Sequence, residues 1–401
     1  MGQSTPASNG NGRHCTIAFD TWPLLSRFRN SGIYVYSRNL LSCFREIASE
    51  DPVEVRPLTS IAVDNDANQF TATDWFRPYE TNLLRIGRVW RYGGACISAF
   101  SSKANVLFCP SGTTLPVSAL VPVVATIHDV TPVVFPAFPK RLARGLRFAF
   151  ANTARFSQAI ITDSNCSKQD LMRVFGLPES RVHVIYLGYD EEIFNFRPPD
   201  AEKRQALLDR FGLQKAFLLH HGTIQPRKNL TRLIEAYRLA LTRNRNLDCD
   251  LVLVGDTGWQ FEETLAAAKT GNAKGRVVLT GPLSDPELSL LLKSATLVVI
   301  PSLYEGFCLP LLESMACGTP TVCANASCLP EISGQALRYF DPLSIDDMAN
   351  CIDEVLESAD LRDELSASGK KRASSFSWRR CAEQTLAVLK TTARNNLAKP
   401  A

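Results

Sequence analysis

Short β-branched runs alternate with longer amphipathic stretches along this whole chain, and that alternation constrains the fold more than any other feature. Apolar runs without polar alternation, each followed by a helix-length segment, specify βαβ units and parallel sheets covered on both faces. In the first half the strand-like runs lie at 16–19, 53–57, 106–108, 122–127, 159–162 and 182–185. A proline-containing stretch around 195–200 breaks the rhythm. A second series then begins at 216–220 and continues at 251–254, 277–280, 297–300, 321–324 and 337–340. The predicted class is α/β in two domains with a boundary near residue 200. After Ser375 a segment of helical period has no strand behind it, so it is predicted to be a terminal helix that packs back across the first domain. Length agrees, since 401 residues at about 150 per domain allow two large domains or three small ones.

Composition removes several classes of function. With 45% hydrophobic and 21% charged residues the chain is neither disordered, collagen-like nor a coiled-coil rod. A net charge of +4 is too small overall to argue for nucleic acid. No apolar run approaches the roughly 20 residues that span a bilayer. Residues 1–13 are mostly small and polar, without the basic start and apolar centre of a signal peptide, and are expected to be a flexible lead-in. The twelve cysteines are scattered through apolar runs with no CxxC pair, which predicts reduced thiols in a cytoplasmic protein. Neither a P-loop nor a strand-borne GxGxxG is present; Gly10 and Gly12 precede the first strand.

Two segments carry the chemistry. FLLHHGTIQPRKNLTRLIEAY, at 217–237, is a buried strand running through Gly222-Thr223 and Pro226-Arg227-Lys228 into an amphipathic helix. Cations in a first helical turn oppose the helix dipole, so Arg227 and Lys228 there suit an anionic ligand, and free main-chain N–H groups add to the attraction. PSLYEGFCLPLLESMACGTPTV, at 301–322, follows a strand with Glu305-Gly306-Phe307 and then starts a helix near Leu309 that holds Glu313 one turn in. A carboxylate in so apolar a helix is costly unless it meets a cation or hydroxyls, and a ribose offers two. Glu305 lies at a strand's carboxyl end, where open α/β sheets bind ligands.

The spacing Glu305-x7-Glu313 followed by Ala316-Cys317-Gly318-Thr319-Pro320 resembles the signature of retaining glycosyltransferases of family 4. Gly222-Thr223-x-x-Pro226-Arg227-Lys228-Asn229-Leu230 resembles the phosphate motif of the same family, and LVLVGDTGW at 251–259 and LPEISG at 329–334 fit too. In the first half the match is looser: Asp20, Ser31-Gly32-Ile33, His128-Asp129-Val130 and Asp163-Ser164. The resemblance implies the GT-B architecture, two Rossmann-like domains facing each other across a cleft. It divides the chain into an acceptor-side domain at 14–200, a nucleotide-sugar-binding domain at 201–375 and a helix at 376–401. It implies that Arg227 and Lys228 neutralise the donor diphosphate, that Glu313 accepts from the ribose and that Glu305 holds sugar hydroxyls. Main-chain groups at Gly222, Gly306, Phe307 and Leu309 would support phosphate and sugar, and Gly281 would lie near the base. Gly32 would let backbone approach phosphate, and His128, after a strand, would bond the transferred sugar or the acceptor.

The activity implied is transfer of a hexose with retention by a front-face route, in which the leaving diphosphate takes the acceptor proton. The expected donor is GDP-mannose, from overall similarity of HDVTPVVFP and GTIQPRKNL to bacterial mannosyltransferases, with UDP-glucose or dTDP-rhamnose as alternatives. Neither a cofactor nor a metal is expected, because two basic residues serve the diphosphate and no Asp or His cluster has ligand spacing. The rival enzymes are a nucleotide-sugar 2-epimerase and a glycogen or sucrose synthase type. Another class of rival is a membrane-associated glycan-binding protein with an inactive donor site. Two departures bear on donor geometry: Ser31 and Cys308 stand where many members have glycine. Between 81 and 162 nine basic residues meet one acid, and PKRLARGLRFAFANTARF sets Lys140, Arg144, Arg147 and Arg155 on one helical face with Leu142, Leu146, Ala149 and Phe150 on another. That pattern predicts a peripheral protein on the cytoplasmic face of the inner membrane, acting on a lipid-linked or growing polysaccharide acceptor.

Overall fold

A computed structural model describes residues 15–24, 31–50, 53–59, 79–80, 90–115, 120–244, 247–270 and 275–397. The lead-in, Arg85, Arg88 and the side chain of Arg91 lie outside the described residues. Thirteen described strands form two sheets. The first holds β1 (Cys15–Asp20), β2 (Val53–Thr59), β3 (Tyr79–Glu80), β4 (Val106–Cys109), β5 (Val123–Thr126), β6 (Ala159–Thr162) and β7 (Val182–Val184) in the order β3-β2-β1-β4-β5-β6-β7. The second holds β8 (Ala216–His221), β9 (Cys249–Val254), β10 (Val277–Gly281), β11 (Leu297–Ile300), β12 (Thr321–Ala324) and β13 (Arg338–Phe340) in the order β10-β9-β8-β11-β12-β13. All twelve predicted runs are strands, and the class is α/β. The strand that sequence reading missed, β3, has two residues and is too short to show a period.

The reason for the non-alternating runs is visible in their burial. β4, β5, β6, β11 and β12 are buried at every residue, as a strand covered on both faces must be. The two sheets repeat one plan, since each grows outward in both directions from its first strand. The order reverses between β1 and β4 in one sheet and between β8 and β11 in the other. Loops leaving the carboxyl ends of strands at such a reversal diverge and open a crevice.

The described residues fall into two compact units, one drawn from 1–127, 149–161 and 382–401, the other from 128–148 and 162–381. In the first unit the core beside the sheet includes Trp22, Leu58, Trp90 and Leu107, and Phe19 of β1 packs edge to face on both Phe44 and Phe108. In the second, helix ends are fixed by local chemistry. Ser164, Asp200, Ser344 and Ser358 accept from main-chain N–H groups three residues on, and Ser284 with Glu287 forms a capping box. The terminal helix is Trp378–Leu397, and its residues from 382 belong to the first unit. No described helix is long and apolar enough to cross a membrane.

In the helix Lys140–Phe156 the predicted apolar face divides: Ala149 and Phe150 are buried, Leu142 is 55% exposed, and Phe148, outside that predicted set, is 62% exposed. Lys140, Arg141, Arg144, Arg147 and Arg155 are also exposed, so the open surface of the helix mixes cations with three large apolar side chains, Leu142, Phe148 and Phe156.

Candidate functional site

The second sheet's reversal point collects most of the predicted residues. β8 ends at His221, and Gly222 turns the chain with φ +135°, a conformation that side chains rarely adopt. Pro226–Lys228 then forms a separate 3-10 turn, and Asn229, left-handed at φ 60°, precedes the helix Leu230–Arg243. Arg227 and Lys228 therefore stand before the helix, whereas the sequence had suggested its first turn. Buried Asn229, at the junction, donates through Nδ2 to the Pro342 carbonyl at 2.7 Å.

From β11 the neighbouring loop brings Glu305 between the two cations. Its Oε2 accepts from Arg227 Nη1 at 2.5 Å and its Oε1 from Lys228 Nζ at 2.6 Å. The Lys228 and Glu305 side chains are 5% and 6% exposed. Burial alone would raise the Glu305 carboxyl, but Arg227 and then Lys228 overcome it and hold the group down at about 2. Arg227 also donates to the Tyr304 carbonyl at 3.0 Å, and Ser327 holds Glu305 through both its N–H and its carbonyl. Two cations and one anion thus form a buried cluster, and Asp129 is a second carboxylate that acts on Arg227.

Glu313 lies in the helix Leu309–Ala316, one turn from its start, as predicted. Burial and then Asp285 raise its carboxyl to about 8, with Lys228 acting the other way. His221 Nδ1 sits 3.7 Å from Glu313 Oε2. Cys308 precedes this helix with φ +78°, so the position does demand the backbone that glycine supplies, and an L-residue occupies it at a cost of about 1–2 kcal/mol.

Gly306 is required by crowding. A Cβ there would lie 2.7 Å from the His128 carbonyl oxygen and 2.8 Å from Asp129 Cβ. The Phe307 ring is buried against Tyr186 and Phe376, at 6.3 and 5.8 Å between centroids, so only its main chain is placed to meet a ligand. Gly281 ends β10 with φ +71°, and its carbonyl accepts from Gly255 N at 3.0 Å.

His128 belongs to this second unit. Its Nδ1 lies 2.7 Å from Asp163 Oδ2, with side-chain exposures of 17% and 4%. Burial raises the Asp163 carboxyl and His128 opposes that rise. Asp163 was legible only as a motif match, and its role as the partner of His128 comes from β5 and β6 lying side by side. The LPEISG segment has an unforeseen function too. Glu331 accepts from the N–H groups of Asn165 and Cys166, at 2.7 and 3.1 Å, and from Tyr186 OH at 2.9 Å, so it caps the helix Asn165–Phe175 from a distance.

Gly32 falls in the first unit, apart from the residues just described. It is the first residue of the helix Gly32–Ala48, not a turn glycine, and Ser31 caps that helix by accepting from Tyr34 N at 3.3 Å. A Cβ on Gly32 would meet nothing within 4 Å. Among the described residues no group of three or more His, Cys, Asp or Glu could hold a metal ion. None of the twelve cysteines is in a disulfide.

Residues 207–372 match the family described as glycosyl transferases group 1, and residues 75–193 the family described as glycosyltransferase family 4. The O-antigen chain mannosyltransferase B of Escherichia coli is 31% identical over 269 residues, spanning 67% of this chain and 70% of that protein. The MMP alpha-(1->4)-mannosyltransferase of Mycolicibacterium hassiacum is also 31% identical, over 59% of this chain and 54% of that one. Among solved structures, Anabaena HepE in complex with UDP and glucose superposes with a TM-score of 0.69 at 18% identity, covering 94% of this chain and 100% of the other. A glycosyltransferase from Rickettsia africae gives 0.70 at 15% identity, over 96% and 100%. These likenesses fix the fold as GT-B, and the sequence relatives fix the rest: the chain is a glycosyltransferase and belongs to the group 1 glycosyltransferases of family 4.

Proposed function

We propose that the chain transfers a hexose, mannose from GDP-mannose, to a lipid-linked or growing polysaccharide acceptor with retention of configuration. The observation that supports the donor reading best is the buried Arg227–Glu305–Lys228 cluster at the reversal of the second sheet, with Glu313 one turn into the helix that follows Glu305. Mannose is supported by relatives named as mannosyltransferases. In the reading offered here Arg227 and Lys228 turn to the diphosphate, and Glu305 is freed to accept from hydroxyls of the sugar. Glu313 accepts from the ribose, and the main chain at Gly222, Gly306, Phe307 and Leu309 lines the phosphates and sugar, with Gly281 toward the base. His128, held by Asp163, bonds the transferred sugar or the acceptor.

The C1–O bond to the diphosphate breaks as the acceptor oxygen bonds C1 on the same face. The acceptor proton passes to the departing phosphate oxygen, and Arg227 and Lys228 stabilise the charge that builds there. This route uses no protein nucleophile, and with two cations at the diphosphate it needs neither metal nor cofactor. A glycan-binding protein with a dead donor site would have no use for the buried charges, whose retention costs stability. For the acceptor side, the exposed Lys140, Arg141, Arg144, Arg147 and Arg155 with Leu142 and Phe148 suit an anionic membrane surface.

Calorimetric titration with GDP, UDP, dTDP and their sugars in EDTA tests the donor reading. The expected outcome is tight binding of one nucleotide, weakened at least tenfold, about 1.4 kcal/mol, by Arg227→Ala or Glu313→Ala. Absence of binding by all of them would overturn it. Co-sedimentation with anionic vesicles at low salt tests the surface, and an unchanged supernatant fraction would remove the membrane from the proposal.

A further inference from the structure

A cavity of about 390 Å³ lies beside the ion cluster and shares two chain segments with it. Pro226 lines it one residue before Arg227, and Leu303 lines it two residues before Glu305. The Leu303 N–H donates to the Arg227 carbonyl at 2.8 Å, so the two segments form one hydrogen-bonded wall. Every residue that lines the cavity belongs to the second unit.

The lining has an apolar part and a charged part. Phe135 joins Pro226 and Leu303 in the apolar part, and its ring is held by Trp259 at 6.1 Å between centroids, which Phe138 meets in turn at 5.4 Å. The charged part comes from two helices: Arg232 and Glu235 on Leu230–Arg243, and Glu263 on Glu262–Lys269. Arg232 and Glu235 are three residues apart and so share a helical face. Arg232 Nη1 donates to Oδ1 of buried Asn229 at 3.0 Å, a bond that positions the guanidinium and uses one of its five N–H groups. Thr231 and Thr264, hydrogen-bonded at 3.3 Å, tie the two helices together at the lining. Glu235 and Glu263 are exposed, so both carboxylates are open to a ligand.

One guanidinium and two carboxylates give a phosphate no surplus of cations, which argues against a second nucleotide here. They match neutral hydroxyls well. A carboxylate only accepts, a guanidinium only donates, and a hydroxyl does both. A pyranose ring carries such hydroxyls on its edge and C–H groups on its face, and the face fits the apolar wall at Phe135. The volume lies within the range of about 300–1,000 Å³ found for small-molecule sites.

Given the transferase reading above, on which this inference rests, we propose that the cavity holds a neutral hexose of the growing polysaccharide, a unit remote from the one that receives the transferred sugar. Phe135 meets the C–H face of that hexose, Glu235 and Glu263 accept from its hydroxyls, and Arg232 donates to its oxygens. No bond is made or broken there. A glycan long enough to reach from the reacting hydroxyl to the cavity is held at two places at once and binds more tightly than a short one.

The test is calorimetry of the whole chain, first with nucleoside diphosphates and then, with the tightest of them at saturation, with α-linked mannobiose and mannohexaose. Mannohexaose is expected to bind at least tenfold more tightly than mannobiose. The double variant Glu235→Ala, Glu263→Ala changes only exposed positions, and it is expected to lose most of that gain while its nucleotide Kd stays that of native protein. A reading without any variant comes from the Trp259 indole N–H resonance, which is expected to shift with mannohexaose and to stay in place with mannobiose. Equal affinity for the two glycans, binding of neither, a full gain retained by the double variant, or an unmoved Trp259 resonance under saturating mannohexaose would each overturn the inference. The two levels separate in the first titration. If no nucleotide binds, the transferase reading falls and takes the cavity's role with it. If a nucleotide binds and chain length has no effect, only the cavity's role has failed.

Discussion

The two sheets reverse their strand order in the same way, yet the two reversal points hold different chemistry. Between β1 and β4 a single carboxylate is wholly buried: Asp20 accepts from Trp90 Nε1 at 2.9 Å, from Trp22 N at 3.1 Å and from Thr114 Oγ1 at 2.6 Å. These three donors are neutral. Between β8 and β11 the matching place holds Arg227, Lys228 and Glu305, a buried ion cluster, with Asp129 also acting on Arg227. Topology supplies a crevice in both sheets. Residue type decides that one holds a carboxylate among neutral donors and the other a cluster of ion pairs.

The sharpest way to break this contrast is Glu305→Gln. It leaves two buried cations without their counter-charge and is expected to destabilise the protein by about 3–5 kcal/mol in denaturant unfolding. The pH dependence has a definite sign. Glu305 sits at about 2 in the fold against about 4.3 unfolded, so its contribution is complete above the unfolded value and is lost as pH falls toward 2. The acid limb of a stability profile should therefore flatten in Glu305→Gln, and an unchanged limb would refute the coupling. A smaller effect is expected at the other reversal point. Asp20→Asn leaves an amide donor facing donors, and should cost about 2 kcal/mol of stability with nucleotide Kd unaltered. A weakened Kd would mean that the first crevice also serves the donor. The smallest effect concerns Cys308. Its left-handed backbone predicts that Cys308→Gly is neutral or stabilising by up to about 1 kcal/mol, whereas Cys308→Val loses about 1–2 kcal/mol; melting temperatures of the pair decide.

The helix Lys140–Phe156 shows where periodicity stops. The 3.6-residue pattern set Leu142, Leu146, Ala149 and Phe150 on one face, but which of them the protein's own core covers was not legible in it: Ala149 and Phe150 are buried, whereas Leu142 is open. The Glu305-x7-Glu313 spacing was legible because both residues stand on one loop-helix segment. Asp163 as the partner of His128, Glu331 as the cap of another helix and His221 opposite Glu313 were not, because each pair is joined only by strands or helices that meet in space.

Sequence by itself determined the two parallel sheets, through uninterrupted apolar runs that can only be buried on both faces, and the family, through motifs held on short contiguous segments. Tertiary structure alone decided the charge states. Whether Glu305 sits near 2 and Glu313 near 8 depends on which cations, acids and apolar walls surround each carboxyl, and those neighbours come from the 3-10 turn after β8, the loop after β11 and two separate helices. Electrostatic energy falls off with distance in space and with local dielectric, neither of which is written in the order of residues.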